Sequence, residues 1–114
     1  IEFTDAKERQ VVTRLPRAKL ISKYKRILTP LKATQHVTTD LHITVNGKGS
    51  ATCAANTVHY QVREVSSGDS HWTTGNRFDL RLSRTDGQWT ISAMKQTRLW
   101  ATGNPEVLAT RFND

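Results

Sequence analysis

The chain has 114 residues, of which 36% are hydrophobic, and a formal net charge of +7 at pH 7. That length suits one domain, 1–114, with a single modest core. No apolar run approaches a membrane span and no signal-peptide pattern is present, while the only cysteine, Cys53, excludes an internal disulfide and fits a reducing, cytoplasmic compartment.

Ile1 to Asp5 alternates apolar and polar residues and reads as a short strand running into a turn over Asp5–Arg9. A start that is already strand-like suggests the interior of a domain. Gln10–Thr13 reads as a second short strand. A helix follows over roughly Pro16–Leu28, since proline suits a first helical turn where its missing N–H has no partner. Leu20, Ile21, Tyr24, Ile27, Leu28 and Leu31 form one apolar stripe. Thr29-Pro30 ends the helix, because the residue before proline avoids the α region.

Thr34–Arg63 reads as a long β-hairpin with its turn at Asn46-Gly47-Lys48-Gly49. Pairing Val45 with Ser50 puts His36 directly opposite His59, on one face, with Cβ atoms about 4.5–5.5 Å apart. In a regular strand Leu41, Ile43 and Val45 lie on the face away from His36, and a β-bulge would reconcile the two sets. Third and fourth long strands span roughly His71–Ser83 and Trp89–Trp100, joined by a turn centred on Asp86-Gly87. Pairing Thr85 with Gln88 sets Leu82 against Ile91 and Leu80 against Ala93, with Phe78 and Trp89 on the same apolar face.

The expected architecture is therefore α+β: a strongly curved, mostly antiparallel sheet built as a four-strand meander and wrapped around a helix. Such a sheet makes a cone with a pocket at its open end, where small-molecule sites are favoured.

Two facing imidazoles can divide acid and base roles near neutral pH; they can equally be a polar surface pair. Asp5 is a candidate base or a turn residue. Tyr24 is a substrate donor at the rim or core. Trp72, Asn76 and Phe78 open the third long strand; Phe78 also reads as core and Trp72 as an oligomer contact. Trp89 reads as core and Arg98 as solvated. His36, His42, His59 and His71 have no carboxylate at ligand spacing, so no metal centre is expected. No glycine-rich phosphate loop follows a strand, and no cofactor is expected. The basic residues are spread over the helix, turns and last strands without an aromatic–basic ladder, so nucleic acid is not the expected partner.

The order of elements, with Thr34-Gln35-His36 opening the first long strand, Asp86-Gly87-Gln88-Trp89-Thr90-Ile91 at the last hairpin and Leu99-Trp100 closing the last strand, resembles the nuclear-transport-factor-two-like superfamily. Within it the chain is similar to the SnoaL-like branch, which includes polyketide cyclases and scytalone dehydratase. The resemblance covers nearly the whole chain from the family's first strand onward, so the helices that precede that strand are expected to be missing. It implies a cone-shaped fold, a small apolar ring or polyketide-like substrate, and assembly as a homo-oligomer, dimer or trimer. His36 and His59 match the two histidines with which the dehydratase removes water from its substrate without metal or cofactor. Asp5 matches the catalytic aspartate of related steroid isomerases, and Trp72, Asn76 and Phe78 fall where the family lines its pocket. The dehydratase's tyrosine and its histidine-orienting aspartate have no counterpart in the chain. Together these point to a dehydratase, cyclase or isomerase without cofactor, or to a non-catalytic binding or oligomerisation module of the same fold.

Overall fold

In the computed structural model, residues 2–5 and 11–109 are described, with side chains from residue 15 onward. Two short strands, β1 (Glu2–Asp5) and β2 (Val11–Arg14), precede helix α1 (Arg17–Leu28). Four long strands follow: β3 (Ala33–Asn46), β4 (Ser50–Val62), β5 (His71–Thr85) and β6 (Gln88–Gly103), and then a 3-10 turn at Pro105–Val107. All six strands join one sheet in the order β2-β1-β6-β5-β4-β3. The four long strands are the expected antiparallel meander, and β1 pairs with β6 in parallel. Of the turn expected at Asp5–Arg9, residues 6–9 lie outside the described part.

Helix α1 starts where the sequence places it: the Pro16 carbonyl accepts hydrogen bonds from the Lys19 and Leu20 amides at 3.0 and 3.1 Å. It ends at Thr29, with Lys25 and Arg26 in the last turn, where positive charge suits the negative end of the helix dipole. Leu20 is the buried residue of the stripe, whereas Ile21, expected beside it, is exposed.

Strand β4 alternates cleanly. Ala51, Cys53, Ala55, Thr57, His59 and Gln61 are buried on one face, called the inner face here, and their neighbours point outward. This face is small and apolar near the β3–β4 turn and polar toward the other end. The curvature that makes the cone comes from extra residues in the outer strands of the meander. The β3–β4 register shifts between Thr39 and His42, and the β5–β6 register shifts at Arg81/Leu82 and at Gly75/Asn76. Each extra residue bends its strand and increases the local twist. One consequence is a correction: Leu82 faces Ile91 as expected, but Leu80 faces Met94 rather than Ala93.

One sequence expectation about packing also changes. Trp89 is 43% exposed rather than core. On the inner face near the β3–β4 turn, Ile43 stays 55% exposed. On the outer face, Val37, Val58, Gly75 and Trp100 form one row across β3–β6. A Cβ at Gly75 would collide with the Trp100 indole, so glycine is what allows the ring to lie flat there.

Candidate active site

The β3–β4 ladder starts at the turn with Asn46 opposite Ser50 and Val45 opposite Ala51, one residue away from the pairing expected from the turn. Past the bulge the register changes, and His36 lies directly opposite His59. The extra residue also moves Ile43 and Val45 onto the histidines' face, since their partners Cys53 and Ala51 share the inner face with His59. Asp40 takes the strain of this step with φ of 56°, and its carboxylate accepts hydrogen bonds from Asn56 Nδ2 at 3.0 Å and Thr39 Oγ1 at 3.3 Å. Aspartate tolerates this left-handed conformation better than most residues.

The two imidazoles stack with ring centroids 3.7 Å apart and planes 12° apart. His59 is buried at 9% exposure, and His36, stacked on it, is exposed. His59 Nε2 and Thr57 Oγ1 are hydrogen-bonded at 3.1 Å, and Phe78 lies on the other side of His59 with ring centroids 5.9 Å apart. Burial pushes the His59 pKa down to about 4, assisted by the proximity of His36. Burial also lowers the His36 pKa. Both rings are therefore neutral near pH 7, and protonating one disfavours protonating the other.

Thr74 lies opposite His59 on β5, and Asn76 opposite Thr57. Asn76 is 2% exposed; its amide donates to Thr74 Oγ1 at 3.0 Å and its carbonyl accepts from Gln96 Nε2 at 3.3 Å. Trp72 is buried on the same inner face, which separates it from the exposed surface a subunit contact requires. The Arg98 guanidinium carbon lies 5.7 Å from the Trp72 ring centroid, half-buried rather than solvated as expected. Phe78 is half-buried at the apolar side of the pair. Tyr24 is half-buried on α1. Asp5 ends β1 in register with Val11 and Gln96, and its side chain lies outside the described part. Among the described residues no three His, Cys, Asp or Glu side chains are grouped to hold a metal ion.

The structure thus brings His36, His59, Asn76, Phe78 and Trp72 onto one face. It adds Thr57, Thr74, Gln61 and Gln96, to which the sequence drew no attention, and Arg98, which it placed in solvent. Strand alternation about His59 identifies Thr57 and Gln61; the β4–β5 and β5–β6 registers, which depend on a long turn and two bulges, are needed for the other three.

Residues 4–95 match the SnoaL-like domain family. The chain belongs to that family. The fold of this SnoaL-like domain also recurs among solved structures. It resembles the Kfla4162 protein from Kribbella flavida at 18% identity and a TM-score of 0.78, over 96% of this chain and 76% of that one. A hexachlorocyclohexane dehydrochlorinase of type 2 matches at 14% identity and a TM-score of 0.69, over 90% and 68%. A proposed scytalone dehydratase from Novosphingobium aromaticivorans matches at 14% identity and a TM-score of 0.68, over 90% and 66%. At these identities the likeness concerns the fold. No curated protein sequence matches the chain. No described helix is long and apolar enough to cross a membrane.

Proposed function

We propose that this SnoaL-like domain is a cofactor-independent lyase or isomerase that acts on a small, largely apolar ring or polyketide-like substrate by histidine acid–base chemistry. The observation that carries this reading is the stacked His36–His59 pair, half enclosed on the inner face, with the proton affinity of both rings lowered by burial. A neutral imidazole is a competent base near pH 7. In a dehydration, one ring takes the proton from a carbon next to a carbonyl, and the C–H electron pair becomes the new C=C bond. The C–O bond breaks as that double bond forms, its electron pair leaves with the oxygen, and the hydroxyl departs as water with a proton from the pair. The captured proton sits against a second ring in a site that disfavours charge, so it passes on readily to the departing oxygen. Thr57 fixes the orientation of His59, and Arg98 supplies positive charge for oxygen that becomes electron-rich. Asp5, at the end of β1 beside β6, serves as a second base or orienting group. Tyr24, Trp72, Asn76 and Phe78 shape the binding surface.

The test is a panel of β-hydroxy cyclic ketones, followed by the ultraviolet absorbance of the conjugated product. His36→Gln and His59→Gln should each abolish turnover while circular dichroism stays native. Unchanged turnover in both variants refutes the reading. The similar folds of a dehydrochlorinase and a proposed dehydratase are consistent with elimination chemistry in this architecture.

The outer face supports a homo-oligomer, a dimer or trimer, as part of the same proposal. Val37, Tyr60 and Trp100 are exposed large apolar residues on that face, and such patches mark association surfaces. The same patch favours the alternative of a non-catalytic binding or oligomerisation module. Sedimentation of the native chain against Trp100→Glu checks the association. Normal binding of ring ligands with no turnover of any panel member would leave the module reading in place of the enzyme.

A further inference from the structure

Gln61 is 6% exposed, and its side-chain carbonyl oxygen is buried without a hydrogen-bond partner. Its neighbours across the sheet are Thr34 and Trp72, and neither donates to it. A buried carbonyl left without a donor is destabilising, so such a group calls for a partner that arrives from outside the chain. Gln61 lies on the same strand and the same inner face as His59, two positions further along. At the rise of an extended strand this is about 7 Å, the length of a small fused ring. Trp72, paired with Gln61 on β5, is buried on the same face, and Thr74 stands opposite His59.

We propose that Gln61 is the specificity-determining residue of the site. Its carbonyl accepts a hydrogen bond from a hydroxyl carried by the substrate at the end of the ring remote from the reacting carbon. This deepens the lyase or isomerase reading, on which it rests, by naming the substrate class: ring compounds with a distal hydrogen-bond donor. A site that holds an unpaired carbonyl for a substrate hydroxyl rejects the analogue lacking it, because the group then stays buried and unpaired.

The test reads binding and not turnover, so it separates from the histidine experiment. 2-Naphthol and 2-methoxynaphthalene are titrated into the native chain, by calorimetry and by the side-chain amide resonance of Gln61 in nitrogen-15-labelled protein. 2-Naphthol is expected to bind about tenfold more tightly and to shift the Gln61 amide. Gln61→Met, which keeps the length of the side chain and removes the carbonyl, is expected to bind both probes alike and to melt at the native temperature or above. Equal affinity of the native chain for the two probes, or no measurable binding of either, overturns the proposal. So does a Gln61→Met chain that melts lower and still discriminates between the probes, since Gln61 would then be a structural residue. Discrimination between the probes in a chain without turnover supports Gln61 and removes only the lyase reading.

Discussion

Asp40 and Asn56, sixteen residues apart in the chain, are joined by a side-chain hydrogen bond of 3.0 Å across the β3–β4 ladder. That contact holds the one residue at which β3 steps out of register. Without the step, the face that carries Ile43 and Val45 could not also carry His36, because side chains alternate with a period of two.

The first prediction concerns this bulge. Asp40→Asn preserves both the left-handed backbone and a hydrogen-bonding side chain and should be close to neutral. Asp40→Val places a β-branched residue at φ of 56° and removes the acceptor, and should destabilise by about 1–3 kcal/mol. Urea denaturation of both variants checks the difference. Because the histidine register depends on the bulge, Asp40→Val should also raise the His59 pKa toward its ordinary value, read by proton NMR.

The second prediction is a pH dependence of stability. His59 is depressed from 6.5 to about 4 in the folded chain by burial and by His36. Between those values the unfolded state binds more protons than the folded state. Stability from this group is therefore complete above about pH 6.5 and is lost as pH falls toward 4, by up to about 3 kcal/mol. In His59→Gln that part of the slope should vanish. Chemical denaturation at intervals from pH 7 to pH 4, comparing the two chains, measures it; parallel profiles would contradict it.

The third prediction separates positioning from folding. Thr57→Val removes the hydroxyl that meets His59 Nε2 at 3.1 Å while preserving volume. Turnover should fall by about tenfold or more, with a melting temperature close to native. The tautomer signature of His59 in ring-nitrogen NMR should move toward that of free imidazole, and Thr57→Ser should restore it.

The fourth prediction tests the end of β6. Gly103 has φ of 103°, and a Cβ there would collide with the His71 backbone carbonyl. Gly103→Ala should therefore destabilise by about 3 kcal/mol or more, since neither the dihedral nor the main chain can yield cheaply. Thermal unfolding of this variant beside Gly87→Ala, where nothing lies within 4 Å of the added carbon, isolates the contribution of the clash.

Alternation and turn chemistry in the sequence determined the meander and the helix. These are local signals: the period of apolar residues, glycine where a turn needs it, and proline at the helix start. The tertiary structure decided which face those elements bury and how far. Asn46, not Val45, pairs with Ser50, and the histidines oppose each other only because Asp40 is bulged out. Trp89 was legible as a large apolar residue but not as an exposed one, and Arg98 as a cation but not as one held over Trp72. Gln61 shares the face of His59 by simple alternation, yet its missing partner is a property of the packed interior. Burial and long-range register arise from many residues acting together, and no stretch of sequence carries them alone.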